Sequence, residues 1–122
     1  MLVSVLRGKL HRAVVTVADP DYEGSISIDA DLLAAAGIYH YEKVLVANVT
    51  NGERLETYAI PAPAGSGEVG LNGAAAMLGR PGHVVIIMAF GLVPEAEAAA
   101  VRPRIVLLGP NNRIAPGPAA PL

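Results

Sequence analysis

Cysteine is absent from the 122 residues, which excludes disulfides, thiolate nucleophiles and zinc–thiolate centres. Charge is scarce as well. Nine Lys and Arg face eleven Asp and Glu, for a formal net charge of −2, and no basic run occurs; nucleic acid is not an expected partner. The three histidines, His11, His40 and His83, lie too far apart in sequence for a local ligand pair, so no metal is expected. With only Lys9 and Lys43 in a short chain, a pyridoxal phosphate site has neither a choice of Schiff-base lysine nor the usual scaffold. No G-x-S-x-G elbow supports an esterase triad. Long apolar runs are missing too: Val84 to Pro94 falls well short of the ~20 residues of a membrane span. Arg7 and Lys9 interrupt the N-terminal apolar stretch before it could act as a signal segment. No membrane association is expected, and the chain reads as cytoplasmic.

What remains is apolar: 52% of residues are hydrophobic and mean hydropathy is +0.44. A chain of this length buries somewhat under ~70% of its unfolded surface, enough for one core but not two. The apolar surplus therefore predicts burial between copies, that is, a homo-oligomer. Residues 1–108 read as a single domain and 109–122 as a Pro/Gly-rich tail expected to be flexible.

Short runs rich in Val and Ile, bounded by Gly, Pro, Asn or Asp, predict strands at 2–6, 13–17, 25–28, 43–49, 54–60, 83–90 and 104–108. Thr50-Asn51-Gly52-Glu53 between two of them predicts a type I′ hairpin, with Asn51 and Gly52 at positive φ. Asp29 or Asp31 caps a short helix through Leu32, Leu33 and Ala36 that Gly37 ends. A second helix is expected over Glu95 to Val101. Many strands with so few helices predict a mainly β fold, a closed or nearly closed barrel. Gly65-Ser66-Gly67-Glu68-Val69-Gly70 matches G-x-G-x-x-G, but Pro61 and Pro63 precede it and no βαβ unit surrounds it; a flexible loop is expected.

Several short pieces are ordinary when taken singly: Gly8-Lys9-Leu10-His11, Tyr22-Glu23-Gly24-Ser25, Val49-Thr50-Asn51-Gly52 with Arg54 and Thr57-Tyr58-Ala59-Ile60, and Asn72-Gly73-Ala74-Ala75-Ala76. In this order and spacing, over roughly residues 1 to 105, they resemble the pyruvoyl-dependent aspartate 1-decarboxylase family. The resemblance implies a double-psi β-barrel assembled as a homotetramer with sites at subunit interfaces. It also implies decarboxylation of L-aspartate to β-alanine for pantothenate synthesis.

The chemistry suits such a cofactor, because removing an α-carboxylate leaves electrons on Cα and no ordinary side chain is an electrophilic carbonyl sink. The resemblance implies that the chain makes its own, by cleavage at Gly24-Ser25 into a β chain 1–24 and an α chain 25–122. Ser25 becomes the pyruvoyl group that forms a Schiff base with substrate. Gly24, lacking a Cβ, leaves its carbonyl open to attack and can hold backbone conformations closed to other residues. Thr57 is implied as an aid to processing and a substrate contact, and Tyr58 as the proton donor to Cα, since a phenol keeps its proton at neutral pH. Arg54 and Lys9 are the cations for a dicarboxylate, Arg54 by paired hydrogen bonds; which cation takes which carboxylate stays open. Asn72, Gly73, Ala74 and Ala75 are implied substrate contacts, and His11 and Tyr22 possible lining residues. Two alternatives remain at this level: a pyruvoyl decarboxylase for another amino acid, and a barrel that binds a partner without cutting itself.

Overall fold

The computed structural model describes residues 1–116. Eight strands form one mixed sheet. They are β1 (Leu2–Val14), β2 (Val17–Asp19), β3 (Ser25–Asp29), β4 (Lys43–Asn48), β5 (Arg54–Ala62), β6 (Val69–Asn72), β7 (Val84–Pro94) and β8 (Arg104–Leu107). Their order across the sheet is β2-β6-β3-β5-β4-β7-β1-β8. The pairs β1/β8, β2/β6 and β3/β5 are parallel; β1/β7, β4/β7, β4/β5 and β3/β6 are antiparallel. Two short helices, α1 (Ala30–Ala36) and α2 (Glu95–Ala98), complete the mainly β architecture.

Period-2 alternation places the core. Leu10, Val44, Val46, Val85 and Ile87 point inward from β1, β4 and β7, each at most 1% exposed, while the residues between them are half-buried or exposed. On β3 and β6 every residue is buried. Leu32, Leu33 and Ala36 of α1 join the same core. Asp29 caps α1 by accepting from the Asp31 amide, and Gly37, left-handed at φ +69°, ends it.

Several local expectations need correction. The two N-terminal strands are one, β1, because bulges between Leu6 and Gly8 and between Leu10 and Ala13 absorb the irregularity without breaking the pairing to β7. The β4–β5 hairpin exists, but its turn is not type I′: Gly52 alone of the pair has positive φ. Asn48 sets the turn instead, since its side chain accepts from the Thr50 and Asn51 amides and its carbonyl accepts from the Gly52 amide. The second helix shrinks to Glu95–Ala98. The Gly-rich segment is a loop only as far as Glu68, since Val69 and Gly70 belong to β6, and the loop is pinned by Asp29, whose carboxylate accepts from the Gly65 and Gly67 amides at 3.0 and 2.9 Å.

The tail expected to be flexible is folded as far as it is described. A turn at Pro110–Asn112 buries Asn112 to 2% exposure. Its carboxamide accepts from the Val14 amide and donates to the Val14 and Gly67 carbonyls. Residues 117–122 lie outside the described residues.

Candidate active site

Ser25 opens β3 between two neighbours. On β6 it stands opposite Asn72 in the antiparallel register, and on β5 the parallel register pairs Ile26 with Ala59, which brings Tyr58 beside Ser25. The Ser25 side chain is 1% exposed. Its Oγ donates to the Glu23 carbonyl at 3.1 Å and accepts from Asn72 Nδ2 at 3.0 Å. Asn72 Nδ2 also donates to Ser27 Oγ at 2.9 Å.

Two clefts flank the Gly24–Ser25 bond. One, of about 360 Å³, has Gly24, Thr57, Tyr58, Asn72, Ala74 and Ala75 in its wall. The other, of about 290 Å³, is walled by Ser25 with Tyr22, Glu23, His40, Tyr41, Tyr58 and others. Tyr58 belongs to both. The strained backbone here is not at Gly24, which has no positive φ and where a Cβ would meet nothing within 4 Å. It is at Gly73, at φ +64°, where a Cβ would fall 2.7 Å from Gly24 Cα and 2.8 Å from Gly24 N. Gly73, just past the end of β6, thus leaves room for the Gly24 backbone to lie close beside it.

The cations are elsewhere. Lys9 pairs with Met88, Met88 with Leu45 and Leu45 with Glu56; in the row beside it, Arg54 pairs with Ala47 and Ala47 with Ile86. Leu10, Ile87 and Val46 fill the core between these rows, so Lys9 and Arg54 lie on the outer face of the sheet. Arg54 and Tyr58 are four residues apart on one strand, ~13 Å at ~3.3 Å per residue. Neither Lys9, His11 nor Arg54 lines either cleft beside Ser25. His11 sits at the second bulge of β1 with its Nδ1 buried and without a hydrogen-bond partner among the described residues. Burial, then the charges of Lys9 and Arg12, hold its pKa below the ordinary histidine value.

A model of the aspartate decarboxylase family matches residues 1–115. The chain belongs to the aspartate decarboxylase family. An aspartate 1-decarboxylase of Moorella thermoacetica is 54% identical over 110 residues, 90% of this chain and 86% of that one. One from Myxococcus xanthus is 53% identical over 113 residues, covering 93% and 87%. One from Phenylobacterium zucineum is 54% identical over 114 residues, covering 93% and 97%. Among solved structures, the rationally designed protein mkDPBB_sym_86 aligns with a TM-score of 0.49 at 17% identity, over 65% of this chain and 92% of that one. That likeness is too slight to bear on the fold.

For this aspartate decarboxylase family member, the structure brings Ser25, Gly24, Thr57, Tyr58, Asn72, Gly73, Ala74, Ala75 and Tyr22 together and leaves Lys9, His11 and Arg54 apart. The family implies a pyruvoyl group, and the surroundings of Ser25 fit one. The hydroxyl is out of water, its hydrogen bonds come from the chain itself, and both sides of its peptide bond face open clefts. The sequence reading missed Ser27, His40 and Tyr41. Tyr41 holds φ +69°, stacks on His40 and lies 6.0 Å from the Tyr58 ring, a placement set by long-range packing with no local signal. No helix is long and apolar enough to cross a membrane among the described residues.

Proposed function

We propose that this protein decarboxylates L-aspartate to β-alanine and carbon dioxide, supplying pantothenate biosynthesis, after cutting its own chain between Gly24 and Ser25. The observation that carries the reading is the Ser25 hydroxyl: buried, bonded to Glu23 and Asn72, and set between two clefts within a chain of this family.

In the cut, Ser25 Oγ bonds to the Gly24 carbonyl carbon as the carbon–nitrogen bond breaks, and the hydroxyl proton passes to the freed nitrogen. Loss of the Ser25 Cα proton with rupture of the Cβ–Oγ bond releases Gly24 as a carboxylate. Water then displaces ammonia and leaves a pyruvoyl group at residue 25. Thr57, in the cleft with Gly24, is positioned to help the oxyanion that attack creates. Asn72 holds a donor on Oγ throughout, which favours its departure as part of a carboxylate.

The pyruvoyl group supplies the electrophilic carbonyl that takes up the electron pair left by the departing carboxylate. Tyr58, facing both clefts, gives the proton that Cα then needs. Asn72 and the backbone from Gly73 to Ala75, with Thr57, orient the substrate. Tyr22 closes one side.

Arg54 and Lys9 complete the site from another subunit of a homotetramer, Arg54 gripping the side-chain carboxylate by paired hydrogen bonds. Their distance from Ser25 within one chain and the apolar floor of Leu45, Ile86 and Met88 around them support that assembly. His11 lies on the same outer surface. The sheet is a closed double-psi β-barrel on this reading, supported by Thr16, which bonds to Val69 of β6, and Asn112, which ties Val14 to Gly67. The enzyme works in the cytoplasm without metal or pyridoxal phosphate.

A denaturing intact mass tests the reading. The expected result is two fragments, 1–24 and 25–122, the larger without a free amino terminus and reactive as a ketone, in a preparation that converts aspartate to β-alanine. A chain that stays whole and makes no β-alanine overturns it.

A further inference from the structure

We infer that Ser27 is a positioning residue for the self-cleavage, acting through Asn72; the inference rests on the function proposed above. Ser25 and Ser27 project from the same face of β3, two residues apart. Asn72 faces Ser25 across the ladder and reaches Ser27 on the diagonal. The one carboxamide nitrogen donates to both hydroxyls, at 3.0 and 2.9 Å, so both of its hydrogens are used. All three side chains are buried, with exposures of 1% for Ser25, 8% for Ser27 and 4% for Asn72, so water does not replace a lost partner.

The direction of the Ser25 bond follows from this. The Ser25 hydroxyl spends its proton on the Glu23 carbonyl, which leaves it an acceptor toward Asn72. Ser27, a second acceptor, fixes the nitrogen edge of the carboxamide toward β3 and pins its angle. Without Ser27, one hydrogen of a buried amide has no partner, and the group can turn to satisfy it, drawing the donor off Ser25 Oγ. Ser27 itself lines neither of the clefts beside the scissile bond. It touches neither substrate nor the bond that breaks, and its effect on the reaction passes through Asn72.

The test follows the fraction of whole chain against time by denaturing intact mass, using purified full-length protein. Ser27→Ala should cleave about tenfold more slowly than the wild type, the scale of one lost hydrogen bond. Ser27→Thr, which keeps the hydroxyl, should recover the wild-type rate. The double variant Ser27→Ala/Asn72→Ala should cleave at the rate of Asn72→Ala alone, because a residue acting through Asn72 has nothing to add once Asn72 is gone. A residue that merely fills space would instead multiply the two losses, and that outcome overturns the inference. So does cleavage of Ser27→Ala at the wild-type rate. If Ser27→Ala does not fold, Ser27→Cys, a weak acceptor of near-equal size, should give the same ordering with a smaller loss, and an unchanged rate there counts against the inference equally. A wild-type chain that never cleaves overturns the proposed function and this inference with it, whereas a wild type that cleaves beside an equally fast Ser27→Ala overturns only the role of Ser27.

Discussion

The surroundings of Ser25 and those of Arg54 are built on opposite plans. At Ser25 the hydrogen-bonded centre is neutral and buried: Ser25, Ser27 and Asn72 are joined to one another, and Ser25 also to the backbone. Arg54 and Lys9 are basic and set on an outer face beside half-buried aliphatic residues, His11 near Lys9 has a buried Nδ1 and a lowered pKa, and none of the three lines the clefts at Ser25. The difference separates two tasks. Cutting a peptide bond needs only atoms of one chain held in place. Recognising a dicarboxylate needs fixed charge, and on the proposed assembly that charge arrives from a neighbouring copy. Processing is then a property of the folded chain and turnover a property of the oligomer.

The sharpest break of that comparison is Ser25→Ala, which should abolish both cleavage and β-alanine formation, read by intact mass and by product assay; cleavage at the same bond in this variant would remove Ser25 from its role. Arg54→Ala should divide the two tasks. Cleavage should proceed at the wild-type rate, while KM for aspartate rises roughly 10- to 150-fold, the scale of a lost hydrogen bond to a charged group. Steady-state kinetics on the fully cleaved variant measures this, and an unchanged KM would take substrate recognition away from Arg54.

A smaller effect concerns Asp29, at the far end of β3 from Ser25. Burial works to raise its pKa, but the Gly67, Asp31 and Gly65 amides and the Arg113 charge outweigh it and hold the carboxyl below its ordinary value. A carboxylate with a depressed folded pKa stabilises the fold above its unfolded value of 3.8, and that contribution is lost as pH falls through the folded value. Asp29→Asn should therefore lower stability at neutral pH by about 1.5–3 kcal/mol, the range for hydrogen bonds to a charged group. The difference from wild type should shrink as the pH is taken below 3.8. Denaturant unfolding at a series of pH values checks it, and a pH-independent difference would mean that the charge is not what matters.

Much of this arrangement was legible in the sequence because it is local. Val- and Ile-rich runs marked most strands, and Asp29 with Gly37 bracketed α1 as their capping chemistry requires. The short motifs in their order carried the family resemblance, which implied roles for Ser25, Thr57, Tyr58 and Asn72. What stayed hidden depends on partners far along the chain. The first two residues of β6 were read as part of a flexible loop because Gly65, Gly67 and Gly70 mask them, and distant groups on Asp29, Thr16 and Asn112 show why that segment is held. The contact of Ser27 with Asn72 depends on the β3/β6 register, which no local pattern encodes. The type I′ turn failed because the Asn48 side chain offers the backbone a competing set of acceptors. The order of residues 109–116 rests on the buried Asn112 carboxamide and on backbone bonds such as Ala115 N–H to the Leu107 carbonyl, in a stretch whose composition suggested none.

The placement of β1 carries one more consequence. It lies between β7 and β8, hydrogen-bonded on both sides, so the segment released from covalent linkage by a cut after Gly24 is an interior element of the sheet rather than a detachable flap. Once cut, each subunit is a complex of two polypeptides, and its unfolding becomes a dissociation. That dissociation makes its melting point depend on protein concentration, in addition to any dependence that subunit assembly brings. Recovery after denaturation requires a short peptide to find its place in the middle of a sheet made by another chain. A protein that matures by this cut folds once as a single molecule and gives up the easy way back.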